Sequence, residues 1–203
     1  MKTNTARYGF FATLIACSIL CGGCISSQMS RFYVLHALAD APATRAASEG
    51  RSLTLGIGPV AVAKYLDRPQ IAERISNNEI SFSEFDRWAE PLESNIARVI
   101  AENLSLLLGT DRIELFPWKT STPIDYQVRV NLSRFDGKSG DQAVLVTRWT
   151  VAGRDGNAVL VDRKSEILEP ISGRGYEPMV QAQNKALEKL SRDIASAIKG
   201  LAQ

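Results

Sequence analysis

Three thiols and one imidazole make up most of the nucleophilic and metal-binding chemistry in this chain, and they are unevenly placed. Cys17, Cys21 and Cys24 all lie within the first 24 residues, the rest of the 203 residues contain no cysteine, and His36 is the only histidine. A disulfide framework or a cysteine metal site beyond residue 24 is therefore excluded. Nucleophilic triads have a single imidazole to draw on, and neither a Gly-x-Ser-x-Gly elbow nor a Gly-x-x-x-x-Gly-Lys-Ser/Thr phosphate loop occurs. Glu84 and Asp86 are near neighbours, but surface carboxylates at that spacing are too common to mark a glycosidase. No cofactor and no metal is expected. The reactive groups that remain are the N-terminal thiols.

The segment around those thiols is zoned. Lys2 and Arg7 make a basic start with no acid, residues 8–20 form an apolar run, and Cys21-Gly22-Gly23-Cys24 follows with small residues. This is the layout of a bacterial secretory signal. As a helix the run would reach roughly 20 Å, short of the ~30 Å hydrocarbon core, so it suits a signal better than a permanent span. Gly22-Gly23 before Cys24 looks like a lipobox, in which the cysteine thiol is alkylated with diacylglycerol and cleavage frees its amine for another acyl chain. Cys17, preceded by Leu14-Ile15-Ala16, is the alternative acylation site; it would leave Ile19 and Leu20 stranded in the mature chain. The preferred reading is a signal peptide over 1–23, a short tether over 24–31 starting at lipidated Cys24, and one domain over 32–203. Stable anchoring requires more than one acyl chain, each buried CH₂ contributing about 0.8 kcal/mol. The tether reaches at most about 25 Å, which keeps the domain near its membrane.

Composition sets the class of the rest. At 45% hydrophobic and 23% charged residues the chain is neither disordered nor fibrous, and it is long enough for one core. Its net charge of +2 comes from Lys2 and Arg7, so the mature chain is balanced and nucleic-acid binding is not expected.

The elements follow from periodicity. Residues 32–35 and 53–60 read as strands, with Pro59 implying an edge or a strand end. Residues 37–50 read as a surface loop. Residues 70–75 and 79–85 read as a hairpin around Ser76-Asn77-Asn78. The spacing of Leu92, Ile96, Val99, Ile100, Asn103, Leu104 and Leu107 predicts a helix over 91–108, with Pro91 in its first turn and Gly109 as C-terminal cap. A strand over 112–116 comes next. Tyr126, Val128, Val130 and Leu132 alternate with polar residues, the cleanest period-two signal in the chain. Strands over 142–151 and 158–168 join through the turn signal Asp155-Gly156. A final helix over 177–201 carries Val180, Leu187, Leu190, Ile194, Ile198 and Leu201 on one stripe. Runs of strands with two amphipathic helices predict a single-domain α+β fold, its mainly antiparallel or mixed sheet covered on one face by both helices.

Three segments, in this order, resemble a known family: Phe32-Tyr33-Val34-Leu35 soon after the lipobox; Ile57-Gly58-Pro59-Val60 leading to Tyr65-Leu66-Asp67-Arg68-Pro69-Gln70-Ile71; and Asp86-Arg87-Trp88-Ala89-Glu90-Pro91-Leu92 opening the first helix. Together they resemble the ABC-type transport auxiliary lipoproteins, the paraquat-inducible protein C-like family. The family usually has Leu where this chain has Cys21. The resemblance implies a non-enzymatic lipoprotein of the outer membrane that faces the periplasm. It would dock a mammalian-cell-entry (MCE) domain protein that spans the periplasm beside an inner-membrane permease. Such systems move phospholipid between membranes and maintain envelope integrity. A homo-oligomeric ring of copies would supply matching symmetry. Other readings of the same chain are a structural or regulatory envelope lipoprotein, acting on a cell-wall synthase or on secretion-channel assembly, and an envelope hydrolase.

Tyr65, Arg68 and Trp118 are the candidate partner interface. Tyr and Arg are enriched at interface hot spots, although residues 65–70 also read as a structural turn. Trp118 stands between Pro117 and Pro123, where an aromatic is expected at the surface. Trp88 and Trp149 read as core, and Asp86 or Glu90 is expected to satisfy the N-terminus of the first helix.

Overall fold

The computed structural model describes residues 28–38, 53–119, 121–154 and 156–202. The signal segment, Cys17, Cys24, most of the 37–50 loop and Asp155 lie outside the described residues. Eight strands and two helices occur among those described: β1 (Arg31–Tyr33), β2 (Leu55–Val62), β3 (Gln70–Arg74), β4 (Ile80–Trp88), α1 (Leu92–Leu108), β5 (Ile113–Leu115), β6 (Tyr126–Gly137), β7 (Gln142–Ala152), β8 (Val159–Pro170) and α2 (Tyr176–Leu201). The strands form one mixed sheet. The fold is the single-domain α+β arrangement that the periodicity implies.

The helices form where the apolar stripes lie. In α1, Leu92, Ile96, Val99, Ile100 and Leu104 are buried; in α2, Met179, Val180, Leu187, Leu190, Ile194 and Ile198 are. Both stripes share one core with Leu55, Ile57, Val128, Val130, Leu132, Leu145, Trp149 and Val151 of the sheet. Gly109 ends α1 in the left-handed region, φ 65°, and donates its N–H to the Ser105 carbonyl at 2.9 Å. Pro91 is the N-cap of α1 rather than a first-turn residue, and no side chain caps that end. The expected acidic cap from Asp86 or Glu90 is thus absent. Asp86 is turned to Tyr33 and Ser83, and Glu90 pairs with Arg98.

β6 organises the sheet. On one side it pairs antiparallel with β7, which pairs in turn with β8. Its other side is forked. Residues 126–132 pair parallel with β2, which carries β5 beyond it, whereas Gly137 at the tip pairs with Glu73 of β3, which carries β4 and then β1. Pro59 lies inside β2, not at its end. It is tolerated because β5 pairs only with residues 55–57, and the β2–β6 register is irregular between Ile57 and Val60.

The fork demands a local solution. The β6–β7 register shifts between Leu132 and Arg134, which inserts one extra residue into β6. The alternation that buries Val128, Val130 and Leu132 therefore changes phase. Phe135 takes over the core-facing role, and Asp136 turns to the opposite face, fully buried. In the gap between β2 and β3, Asp136 accepts hydrogen bonds from Arg74 Nε and Nη2, both 2.9 Å, from Arg134 Nη2 at 2.8 Å, and from the Tyr65 hydroxyl at 2.7 Å. Burial by itself pushes the Asp136 carboxyl up, but the Arg74, Arg134 and Tyr65 hydrogen bonds outweigh it and hold the group below the usual carboxylate range. Burial, reinforced by the bond to Asp136, pushes the Tyr65 hydroxyl up to about 12, so it remains a donor at neutral pH.

A group with a depressed folded-state pKa contributes stability that is present above its unfolded pKa and lost as pH falls through the folded value. D136N should therefore be less stable than the wild type by about 3 kcal/mol at pH 7, since it strands two guanidinium groups. In urea denaturation the difference should narrow as the pH drops below about 4, where the unfolded carboxyl begins to protonate. A difference independent of pH would contradict the ionised carboxylate.

Candidate functional site

The chain that leads from the N-terminal thiols enters the fold through β1. This strand is three residues long and lies at the sheet edge, parallel to β4. Three backbone pairs fix an edge strand weakly, and side chains supplement them. Buried Asp86 accepts from Arg31 Nε at 2.8 Å, from the Tyr33 hydroxyl at 2.9 Å and from Ser83 Oγ at 2.8 Å. Burial, and then the bond to Asp86, push the Tyr33 hydroxyl up to about 12.

Beyond β1 the chain runs extended along the seam of α1 and α2, where it has no strand to pair with. Asparagines substitute for one. Asn95 Oδ1 accepts the Leu35 N–H at 2.7 Å, and Asn95 Nδ2 donates to the Leu35 carbonyl at 3.1 Å. Asn184 Oδ1 accepts the His36 N–H at 3.2 Å, and Asn103 Oδ1 accepts the Leu38 N–H at 2.9 Å. Asn103 Nδ2 in turn donates to Ser191 Oγ at 3.1 Å, which links the two helices. The Leu35 side chain fills the core, 1% exposed. The segment is thus clamped to both helices by backbone bonds and by an apolar plug.

The sequence-selected residues fall into two separate regions. Tyr65 and Arg68 follow the C-terminal end of β2. Tyr65 is half-buried and its hydroxyl is committed to Asp136, whereas exposed Arg68 stacks its guanidinium 3.9 Å from the centre of the Phe82 ring. Trp118 is at the other end of β2, roughly 25 Å away at ~3.3 Å per residue. It lies over the face of the sheet that the helices leave open, where a Cβ on Gly56 would stand 2.7 Å from indole Cη2. Gly56 is therefore the seat of the ring. Trp118 is half-buried, and the aromatic that the loop exposes is Phe116, 54% accessible and edge-on to Trp118 at 5.5 Å. The structure does not gather Tyr65, Arg68 and Trp118 into one surface.

The asparagine clamp escapes a reading by periodicity. Asn103 does fall on the apolar stripe of α1, and Asn95 stands beside Ile96 on the same face. An amide on a buried stripe needs a partner, which is the signal that could reveal it. Trp88 and Trp149 are core residues. Among the described residues no group of three or more His, Cys, Asp or Glu could hold a metal ion, and no helix is long and apolar enough to cross a membrane. What the geometry can do is fix the direction in which the N-terminal segment leaves a rigid body and present surfaces at the ends of β2.

A protein-family model, that of the ABC-type transport auxiliary lipoprotein component, matches residues 33–195. Two solved structures share the fold. A crystal structure of an uncharacterized protein is 19% identical with a TM-score of 0.67, the match covering 84% of this chain and 99% of that one. A crystal structure of a protein from Xanthomonas campestris is 16% identical with a TM-score of 0.63, covering 85% and 98%. No curated protein matches the sequence.

Removing the Asn95 amide would leave both backbone groups of Leu35 unpaired. N95A should destabilise the domain by about 1–3 kcal/mol in urea melts, against less than about 0.5 kcal/mol for N131A at an exposed position. Equal effects would remove the clamp as a distinctive contact.

Proposed function

Because the chain belongs to the ABC-type transport auxiliary lipoprotein family, a family of auxiliary components rather than a known enzyme family, we propose that it is the membrane-anchored docking subunit of an intermembrane phospholipid transport system. In this reading the signal over 1–23 is removed and Cys24 carries the acyl chains. The tether over 24–31 then holds the domain at the periplasmic face of the outer membrane. An MCE-domain protein spanning the periplasm docks on the domain, and the inner-membrane permease completes the system. The subunit does no chemistry on the lipid; it positions the end of the conduit and preserves envelope integrity.

The observation that carries the reading is the extent of the family match. It begins at Tyr33 within β1 and ends at Ala195 within α2, so it spans Asn95, Asn103, Asn184 and Ser191. The shared unit includes the seam that receives the N-terminal segment. A domain whose N-terminal chain is bonded to both helices is suited to being held by that chain. Phe116, Trp118 and Arg68 are then available to a protein partner at the two ends of β2.

Two measurements test this. Cells fed a clickable palmitate analogue should label the wild type and C17A but not C24A; label that survives in C24A and vanishes in C17A moves the anchor to Cys17. Affinity purification of the full-length protein from detergent-solubilised membranes should bring down an MCE-domain protein and its permease. Recovery of a cell-wall synthase with no MCE partner would replace the transport reading with a regulatory one.

A further inference from the structure

Three apolar side chains crowd the surface where the chain enters the fold. Met29 is 85% exposed, Phe32 66% and Val34 48%. Alternation explains which way Phe32 and Val34 point, and Met29 stands exposed just before the strand begins. Arg31, Tyr33 and Leu35 face inward, to Asp86 and the core, so Phe32 and Val34 face outward. The fold does not require this. A polar residue at 32 or 34 would leave the Asp86 contacts and the Leu35 plug intact. Scattered single apolar residues on a surface are ordinary, but three within six residues, on an edge strand and immediately beside it, are a patch.

The ridge carries positive charge beside it. The parallel partner of Phe32 on β4 is Arg87, so its guanidinium lies on the same face. Arg31 is 60% exposed, although Asp86 engages its Nε. Asp86 is buried beneath the strand on the inner face, and the nearby carboxylates Glu84 and Glu177 belong to β4 and to the start of α2. An apolar ridge edged by guanidinium groups fits a phospholipid surface, with side chains among the acyl ends and cations at the phosphates.

The length of chain before the ridge singles out that occupant. If Cys24 carries the acyl chains, it lies at the hydrocarbon boundary, and Met29 is five residues away, at most about 18 Å fully extended. The polar layer of one leaflet is itself some 5–8 Å thick. The clamp at Leu35, His36 and Leu38 and the pairing of β1 with β4 fix the chain to the domain from Arg31 onward, so only the few residues before it can act as a hinge. The first part of the folded body to meet the leaflet is therefore β1 and the residues just before it. We infer that Met29, Phe32 and Val34 form a second, non-covalent membrane contact, which inserts into the phospholipid leaflet holding the anchor and sets the tilt of the domain. The inference rests on the acylated N-terminus of the proposed function and adds to it a defined face of the domain against the lipid.

The test uses the full-length lipoprotein reconstituted into vesicles of anionic and zwitterionic phospholipid with brominated acyl chains, which quench tryptophan on contact. F32W places an indole on the ridge. L160W places one on β8, at the opposite edge of the sheet, where Leu160 is 46% exposed. The emission that F32W adds over wild type should fall when brominated lipid replaces ordinary lipid, and the emission that L160W adds should not. Mass measurement of the N-terminal peptide reports acylation in the same sample. An acylated protein whose F32W indole is unquenched overturns the membrane contact and leaves the docking reading standing. A blue-shifted F32W indole indifferent to bromine assigns the ridge to a protein neighbour and overturns it equally. A protein with no acyl chain overturns both proposals.

Discussion

The hydrogen bonding of the segment from Leu35 to Leu38 sets the geometry around which the molecule is arranged. A chain laid between two helices has no ladder to join, and a buried, unpaired backbone group costs about 1–3 kcal/mol. Asn95 offers Leu35 an acceptor and a donor on one planar amide, as a neighbouring strand would. Asn184 and Asn103 supply the next two acceptors from different helices. Because the three amides belong to two helices, the segment can be satisfied only when α1 and α2 are correctly set against each other. The seam and the segment specify one another. The parity of β1 follows: with Leu35 fixed in the core, Tyr33 and Arg31 face Asp86, and Phe32 and Val34 face out.

The sheet has a comparable constraint at its fork. Pairing β6 with β2 at one end and β3 at the other leaves residues 133–136 without a strand neighbour on that side. The register shift at Leu132 and Arg134 turns Phe135 into the core and Asp136 into the gap. Asp136 then joins β3, β6 and the loop after β2 through Arg74, Arg134 and Tyr65. An uncompensated carboxylate could not remain buried there, and the two guanidinium groups lower its pKa enough to keep it charged.

What could be read from the sequence is what depends on local period. The stripes of α1 and α2, the hairpin at residues 76–78 and the alternation from Tyr126 to Leu132 all express a two- or 3.6-residue repeat, and the structure follows them. The reading weakens wherever a distant partner decides. Pro59 looks like a strand end until one sees that β5 covers only residues 55–57. Ser133 and Arg134 carry no mark of the phase change, because the bulge is imposed by the forked neighbours. Trp118 between prolines looks exposed, but Gly56, 62 positions earlier, leaves it a seat. Tyr65 looks like a surface anchor, but Asp136, 71 positions on, takes its hydroxyl. The family resemblance reached further than any of these, because it rests on the order of motifs along the chain and not on a local period.

Asp86 and Asp136 are built alike, and that likeness bears on what kind of protein this is. Each is a buried carboxylate receiving an arginine and a tyrosine hydroxyl, and each lies beside a short backbone ladder: three pairs between β1 and β4, and one between β3 and β6. A charge cluster has little slack, since displacing a partner strands a buried ion, and so it fixes register where few backbone bonds do. The same commitment removes Asp136 from acid–base work. Saturated by donors and held below the usual carboxylate range, it is a weak base and cannot serve as an acid at neutral pH. The two buried carboxylates are spent on rigidity, and the surface near β1 and at the ends of β2 carries exposed apolar, aromatic and cationic groups, Phe32, Phe116 and Arg68 among them. That distribution suits a body held in one orientation and recognised there, because orientation is lost when strand ends fray, and the Asp86 cluster opposes fraying at the edge where the N-terminal chain leaves the domain.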